Sequence, residues 1–253
     1  MRSILLYHNI GRTFSPFGGV IHPNIFRKHL LFLKKKGYKF INIDEWIDGK
    51  EGVVISFDDG FVELYQFLPP IIKEFNIRPL VFLVSDYLGK MNSWDLAISK
   101  KFRHLNRSEI LKLHKIGVLF GSHSHTHPDL RKIDDISLKK ELTLSKRILE
   151  GLIGEEVAFF SYPFGLYDKR VIEKVKKCGY RAGFTASPLP QNETIFNIGR
   201  WPVYTIDTFF NLELKIKNKG IFASLEALKC KSINFISRGT YILNRLSLLK
   251  NQA

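Results

Sequence analysis

The chain has 253 residues, 45% hydrophobic and 25% charged, a balance that excludes a disordered polymer and can fill a sizeable core. Two cysteines, Cys178 and Cys230, exclude a disulfide scaffold or a cysteine-based zinc module and give no sign of an oxidising compartment. The 39 Lys and Arg against 24 Asp and Glu leave a net charge of +15, which serves solubility or an acidic partner such as nucleic acid, an anionic membrane or a charged glycan.

The opening Met1–His8 has one positive charge and a short apolar run that His8 and Asn9 interrupt. A secretory signal needs roughly 7–15 apolar residues, and a spanning helix about 18 or more. The expected location is therefore the cytoplasm or the inner face of a membrane. Ser3–Tyr7 reads as a strand, and Asn24–Lys36, after Pro23, as an amphipathic helix ended by Gly37. Phe40–Ile43 reads as a short strand and Val53–Phe57 as a β-branched strand stopping at Asp58-Asp59-Gly60. Phe61–Phe75 has a helical period, Leu80–Val84 reads as a strand, and Ser108–Lys115 as a helix with Ser108 as its N-cap. Val118–Gly121 is a predicted strand, Ser137–Glu150 a helix, Ala158–Ser161 a strand, Lys169–Lys177 a helix closed by Gly179, and Ala182–Thr185 a strand. Ser187–Asn197, with Pro188 and Pro190, reads as a loop. Beyond Asp207 the pattern is helical around Phe209–Leu214, Ile221–Leu228 and Tyr241–Leu249.

Strands separated by helices argue for an α/β fold with a parallel sheet, and seven or eight such units point to a closed barrel. The expected division is a barrel over residues 1–206 and a basic helical extension over 207–253. Within the latter, Lys215–Lys250 holds eight basic residues and one acid, Glu226, beside many apolar residues. That composition suits an anionic lipid surface, or helices that simply cover the barrel.

Three polar clusters follow predicted strands, on the face where barrels place their active sites. In Ser56-Phe57-Asp58-Asp59-Gly60, adjacent carboxylates need a cation or a partner to stay ionised together, although an Asp pair also serves as a helix cap. In Gly121-Ser122-His123-Ser124-His125-Thr126-His127-Pro128, three imidazoles stand in five residues. His123 and His127 have the spacing that brings two nitrogens to one ion on a helical turn, and Asp59 would complete three ligands of a catalytic zinc site. In Phe160-Ser161-Tyr162-Pro163-Phe164-Gly165, proline and glycine fix a turn that can aim a backbone N–H at a developing oxyanion.

The series Ser-Phe-Asp-Asp-Gly, His-Ser-x-x-His-Pro-x-Leu and Tyr-Pro-Phe-Gly resembles the polysaccharide deacetylases of the NodB-homology group, carbohydrate esterase family 4. The opening Leu5-Leu6-Tyr7-His8 is similar to the permuted poly-N-acetylglucosamine deacetylase branch. The resemblance spans roughly Ile4 to Tyr204. It implies a distorted (β/α)7 barrel and removal of an N-acyl group, most simply acetyl, from an amino sugar in a polysaccharide or in a nucleotide- or lipid-linked precursor. It implies one divalent metal, Zn²⁺ before Co²⁺, Ni²⁺ or Fe²⁺, held by Asp59, His123 and His127. Asp58 matches the general base, the Phe164 N–H the oxyanion donor and His8 the general acid.

The chain departs from the family pattern in two places. Ser161 stands where the family has an Arg that orients the catalytic Asp, and Arg200 is the candidate replacement. No His follows His127, which favours His8 as the missing imidazole. Tyr7, Trp94, Tyr162 and Trp201, with Pro163, are candidates for contact with sugar rings, against core packing as the alternative. Competing readings are a His-x-His amidohydrolase or phosphoesterase, in which His125 would bind metal, and a non-catalytic barrel that binds glycan or membrane. No nucleic-acid partner is expected, since no recognised motif for one is present.

Overall fold

The computed structural model describes residues 1–13, 19–92, 101–190 and 192–233. In chain order the strands are β1 (Arg2–Tyr7), β2 (Asn9–Ile10), β3 (Val20–Ile21), β4 (Gly52–Phe57), β5 (Leu80–Leu83), β6 (Leu119–Ser122), β7 (Phe159–Ser161), β8 (Ala182–Thr185), β9 (Ile198–Gly199) and β10 (Trp201–Pro202). The helices are α1 (Pro23–Lys35), α2 (Ile43–Ile47), α3 (Glu63–Phe75), α4 (Arg107–Lys115), α5 (Asp135–Ile153), α6 (Lys169–Lys177) and α7 (Phe209–Lys217), and residues 220–233 are also helical.

Eight strands form one parallel sheet in the order β10-β1-β4-β5-β6-β7-β8-β9. Its two ends are halves of one segment: Ile198 and Gly199 pair with β8, while Trp201 and Pro202 pair with β1. The ring therefore closes through a single residue, Arg200. The result is a nearly closed barrel in which that segment acts as the seventh stave, the distorted (β/α)7 architecture that the motifs imply.

Side-chain alternation divides the core in two. Leu5, Tyr7, Val53, Ile55, Phe57, Val81, Leu83, Phe160 and Tyr162 pack outward against the helices. Ile4, Val54, Leu80, Phe82, Phe159, Phe184 and Ile198 fill the barrel interior. Strands covered on both faces need near-continuous apolar runs, and every residue of β4, β5 and β8 is buried. Continued by two residues, the inward series Val54, Ser56 brings Asp58 to the barrel mouth.

Three local expectations change. Phe40–Ile43 is not a strand: Phe40 makes one bridge to Val53, and Asn42 caps α2 in a reciprocal capping box with Glu45. Ser108 is not the cap of α4, because Asn106, two residues earlier, forms the same box with Glu109. Residues 198–202, not predicted as a strand, supply the closing segment.

The C-terminal helices are tied to the barrel by a buried ion quartet. The fully buried Lys215 ammonium pairs with Asp207, lies 3.2 Å from Glu226 Oε1 and donates to the Pro202 carbonyl at 2.6 Å. Lys229 pairs with Asp207 and Glu226, each at 2.6 Å. No helix among the described residues is long and apolar enough to cross a membrane. The predicted helix at Tyr241–Leu249 and the candidate Trp94 lie outside the described residues.

Candidate active site

The catalytic candidates sit at the C-terminal ends of the strands. Asp58 and Asp59 follow β4, His123 follows β6, Ser161 ends β7, His8 follows β1, and Arg200 joins β9 to β10. After β4 the chain turns sharply, with Asp59 at φ +67° and Gly60 at φ +66°. A Cβ on Gly60 would lie 2.4 Å from Leu83 Cδ2, so any other residue would displace Leu83 and carry the strain of the positive φ. Non-glycine residues rarely adopt this left-handed backbone, at about 1–2 kcal/mol each. Of the seven that do so among the described residues, four are at the site: Asp59, Ser124, His127 and Phe164.

Residues 123–127 do not form the helical turn that their spacing allowed. They form a loop with left-handed backbone at Ser124 and His127, held by hydrogen bonds from every side. Glu141 on α5 accepts from the His125 and Thr126 N–H groups at 2.8 Å and from the Thr126 hydroxyl at 2.7 Å. Ser145 donates to the Ser124 carbonyl at 3.0 Å, and the Ser124 hydroxyl accepts the His127 N–H at 3.0 Å. This loop points two buried imidazoles at one place: His123 Nε2 and His127 Nε2 are 3.2 Å apart, and Asp59 Oδ1 lies 3.8 Å from each.

The donor set fits a divalent ion. His123 Nδ1 donates to the Ser161 carbonyl at 2.8 Å, which leaves the Nε2 lone pair facing the other donors. Burial holds both imidazoles below their ordinary pKa, and His127 well below it, so both are neutral near pH 7 as metal ligands must be. Tetrahedral donors about 2.1 Å from an ion are about 3.4 Å apart, close to the observed triangle. Among the described residues this is the one group of three or more His, Cys, Asp or Glu side chains that could hold a metal. His125 is not in it: its Nδ1 lies 2.8 Å from the Ser85 hydroxyl, which gives no support to a His-x-His ion pair site.

Asp58 faces a different partner. Arg200 donates to its two carboxylate oxygens at 2.8 and 2.7 Å and to the Ser161 hydroxyl at 2.7 Å, and that hydroxyl donates to Asp58 at 3.2 Å. The structure thus puts a guanidinium on Asp58 from the closing segment, with Ser161 as the bridge. Burial alone would raise the Asp58 carboxyl, but Arg200, with His123 and His8, holds it far below the usual carboxylate range. Arg200 rests on the interior rings of Phe82 and Phe184, 5.1 and 6.0 Å from their centroids. His8 is half-buried, and its pKa is lowered by burial, with Asp58 opposing and Arg200 reinforcing the shift. The Phe164 ring lies against His127, centroids 4.5 Å apart, in a turn where a Cβ on Gly165 would meet the Ala186 backbone at 2.8 Å.

The sugar-stacking candidates are placed elsewhere. Tyr7, Tyr162 and Trp201 are all buried in the outer core, so none offers a ring face to a ligand, and Pro163 is buried as well. Tyr7 packs edge-on to Phe26 at 4.9 Å, and the Tyr162 hydroxyl donates to the Phe196 carbonyl at 2.6 Å. The reason is parity: these tyrosines share the outward series of Leu5 and Phe160. The residues that brace the loop and the turn carrying the candidate ligands, Ser85, His104, Glu141 and Ser145, carry no motif, and only their three-dimensional contacts reveal them.

Comparison with known proteins adds a family. The family model for polysaccharide deacetylase matches residues 47–183, which include Asp58, Asp59, His123, His127 and Phe164 but neither His8 nor Arg200. A poly-beta-1,6-N-acetyl-D-glucosamine N-deacetylase of Staphylococcus aureus is 26% identical over 178 residues, 63% of this chain and 59% of the relative. The chain spans less than two thirds of the length of the first curated relatives it matches. Among solved structures, the Streptococcus pyogenes deacetylase PplD in complex with acetate superposes with a TM-score of 0.73 at 20% identity, covering 85% of this chain and 97% of that one. IcaB from Ammonifex degensii gives 0.69 at 19% identity, covering 85% and 96%. At these identities the likeness establishes the fold.

Proposed function

We propose that this chain, which belongs to the polysaccharide deacetylase family, hydrolyses the N-acetyl amide of an amino sugar in a polysaccharide or a glycan precursor. One observation carries the reading: the Asp59–His123–His127 triangle stands beside a second carboxylate, Asp58, that is locked to Arg200. The relative named as a poly-beta-1,6-N-acetyl-D-glucosamine deacetylase supports an N-acetylglucosamine polymer as the first substrate to try.

Asp59, His123 and His127 would hold the ion, for which Zn²⁺ is the proposal. When bound, it supplies Lewis-acid polarisation of the acyl carbonyl and a water acidified to a pKa of about 7. Asp58 is anionic over the working pH range and accepts the proton of the attacking water. Its pairing with Arg200 disfavours the protonated form, so the proton is passed on readily. The Phe164 N–H donates to the developing oxyanion. His8, held below its ordinary pKa by burial, takes the proton that Asp58 releases and delivers it to the amine, which cannot depart unprotonated.

Incubation with a strong chelator is expected to abolish release of acetate from N-acetylglucosamine oligomers, with Zn²⁺ or Co²⁺ restoring it. Mass spectrometry of the oligomers reads the loss of each acetyl group. Full activity in protein verified as metal-free would overturn the reading. For His8→Ala, turnover of amides is expected to fall far more than turnover of acetate esters with good leaving groups, which depart without a proton. Equal losses on both substrates would remove His8 from that role.

We further propose an anionic lipid surface as a partner of the C-terminal helices. The helix at 220–233 buries Ala223, Glu226, Ala227 and Cys230 and leaves Ile221, Phe222, Leu225 and Leu228 more than half exposed. Lys219 and Lys231 are exposed beside that stripe, whereas Lys215 and Lys229 are engaged in the ion quartet and leave the surface less basic than the sequence count implies. The protein is expected to sediment with vesicles containing anionic lipid, less so at high salt, and not with neutral ones. Paired Leu225→Ser and Leu228→Ser changes should weaken that binding. Failure of the wild type to bind anionic vesicles at low salt would leave the stripe without this partner.

A further inference from the structure

His104 belongs to none of the motifs, yet it is almost fully buried and touches the backbone of a residue in the ligand triangle. We propose that His104 is a positioning residue for the metal site: by holding the Asp59 carbonyl it fixes the left-handed turn that aims the Asp59 carboxylate at His123 and His127. The inference rests on the metal reading above and deepens it.

The hydrogen bond is short and its direction is settled. His104 Nδ1 lies 2.7 Å from the Asp59 carbonyl oxygen, and a carbonyl only accepts, so the proton is on Nδ1. Asp59 and Gly60 are both left-handed, a conformation uncommon for residues other than glycine. Rotation of the peptide between them would move the carbonyl and, with it, the backbone angles that set the carboxylate direction. A donor fixed on that carbonyl blocks the rotation.

The donor is itself anchored. Residues 103–105 run antiparallel to 60–62: Val62 N–H donates to Arg103 O at 2.8 Å, and Leu105 N–H to Gly60 O at 2.8 Å. His104 N–H donates to Lys90 O at 2.9 Å. The ring is wedged between Phe61 and Tyr87, with centroids 4.9 and 5.4 Å away. The segment after β5 thus folds back over the Asp59–Gly60 turn and delivers one imidazole to one carbonyl. An apolar ring or chain would fill the same space without gripping it.

The test compares a non-donor with a donor of the right reach. In Asn the side-chain amide nitrogen stands where Nδ1 stands in His. Zn²⁺ affinity is measured by competition with a chromogenic chelator on the wild type, His104→Leu, His104→Ala and His104→Asn, each checked for folding by circular dichroism. His104→Leu and His104→Ala should bind Zn²⁺ about 10–100-fold more weakly, and His104→Asn should recover most of the loss. Two non-donor variants keep the comparison available if one of them does not fold. Unchanged Zn²⁺ affinity in the folded non-donor variants, or a loss as large in His104→Asn, would overturn the proposal. A wild type that binds no Zn²⁺ would defeat the metal reading itself.

Discussion

Asp58→Asn is expected to lower turnover roughly 10²–10⁴-fold, the range for a lost general base, while Zn²⁺ stays bound. Asp59→Asn, by contrast, should lose metal and turnover together. The distinction follows from their surroundings: Asp59 faces His123 and His127, whereas both oxygens of Asp58 are taken by Arg200. A second effect accompanies the first. Arg200 is completely buried, and removing the charge of its partner strands a guanidinium in the interior. Breaking such a pair costs about 3–5 kcal/mol. Replacing both members, as in Asp58→Asn with Arg200→Met, should recover much of that stability and none of the turnover. Urea unfolding and initial rates on the same preparations separate the two effects. Loss of metal from Asp58→Asn with retention in Asp59→Asn would reverse the assigned roles.

Asp207→Asn is expected to lower the unfolding free energy by about 3–5 kcal/mol without changing the Zn²⁺ content. Asp207 is the carboxylate that Lys215 and Lys229 share, and Lys215 has no exposed surface. Burial by itself would raise the Asp207 carboxyl, but Lys215 and Lys229 bring it below its ordinary value. A carboxyl lowered in the folded state adds stability above the unfolded pKa and loses it as pH falls through the folded one. The gap between wild type and Asp207→Asn should therefore be full near neutral pH and shrink in acid. A gap that stays constant between pH 7 and pH 3 in urea titrations would show that the ion quartet contributes nothing through charge.

Local signals made most of the barrel legible. The apolar runs at Ser3–Tyr7, Val53–Phe57 and Ala182–Thr185 are strands within a residue of their predicted limits, because a buried parallel strand has little choice of composition. The candidate ligands were readable for a related reason: His123 and His127 share one short loop after β6, and Asp59 stands in the turn that ends β4. Arg200 was only a candidate, since its contact with Asp58 spans 142 positions. His104 was invisible, as nothing in Phe102-Arg103-His104-Leu105 records a partner 45 positions away. For Tyr7, Tyr162 and Trp201 the sequence left ring contact and core packing open, because nearness to a strand end was weighed without parity, and all three lie in the core. Counting alternate residues from Leu5 and Phe160 places both tyrosines against the helices.

Closure of the sheet through Arg200 governs how the protein is made. One of the two neighbours of β1, Trp201–Pro202, is synthesised nearly two hundred positions after it. At about 5–20 residues per second, that interval is roughly 10–40 s. Throughout it, one side of β1 has unpaired N–H and C=O groups, a template for pairing with another chain. The last stave removes that hazard and, in the same step, brings the guanidinium to Asp58. A nascent chain that stops short of residue 200 therefore has Asp58, Asp59, His123 and His127 but neither the closed barrel nor the charge partner of Asp58. Such distant pairing also makes for slow folding, because the loop entropy is lost before the contacts form.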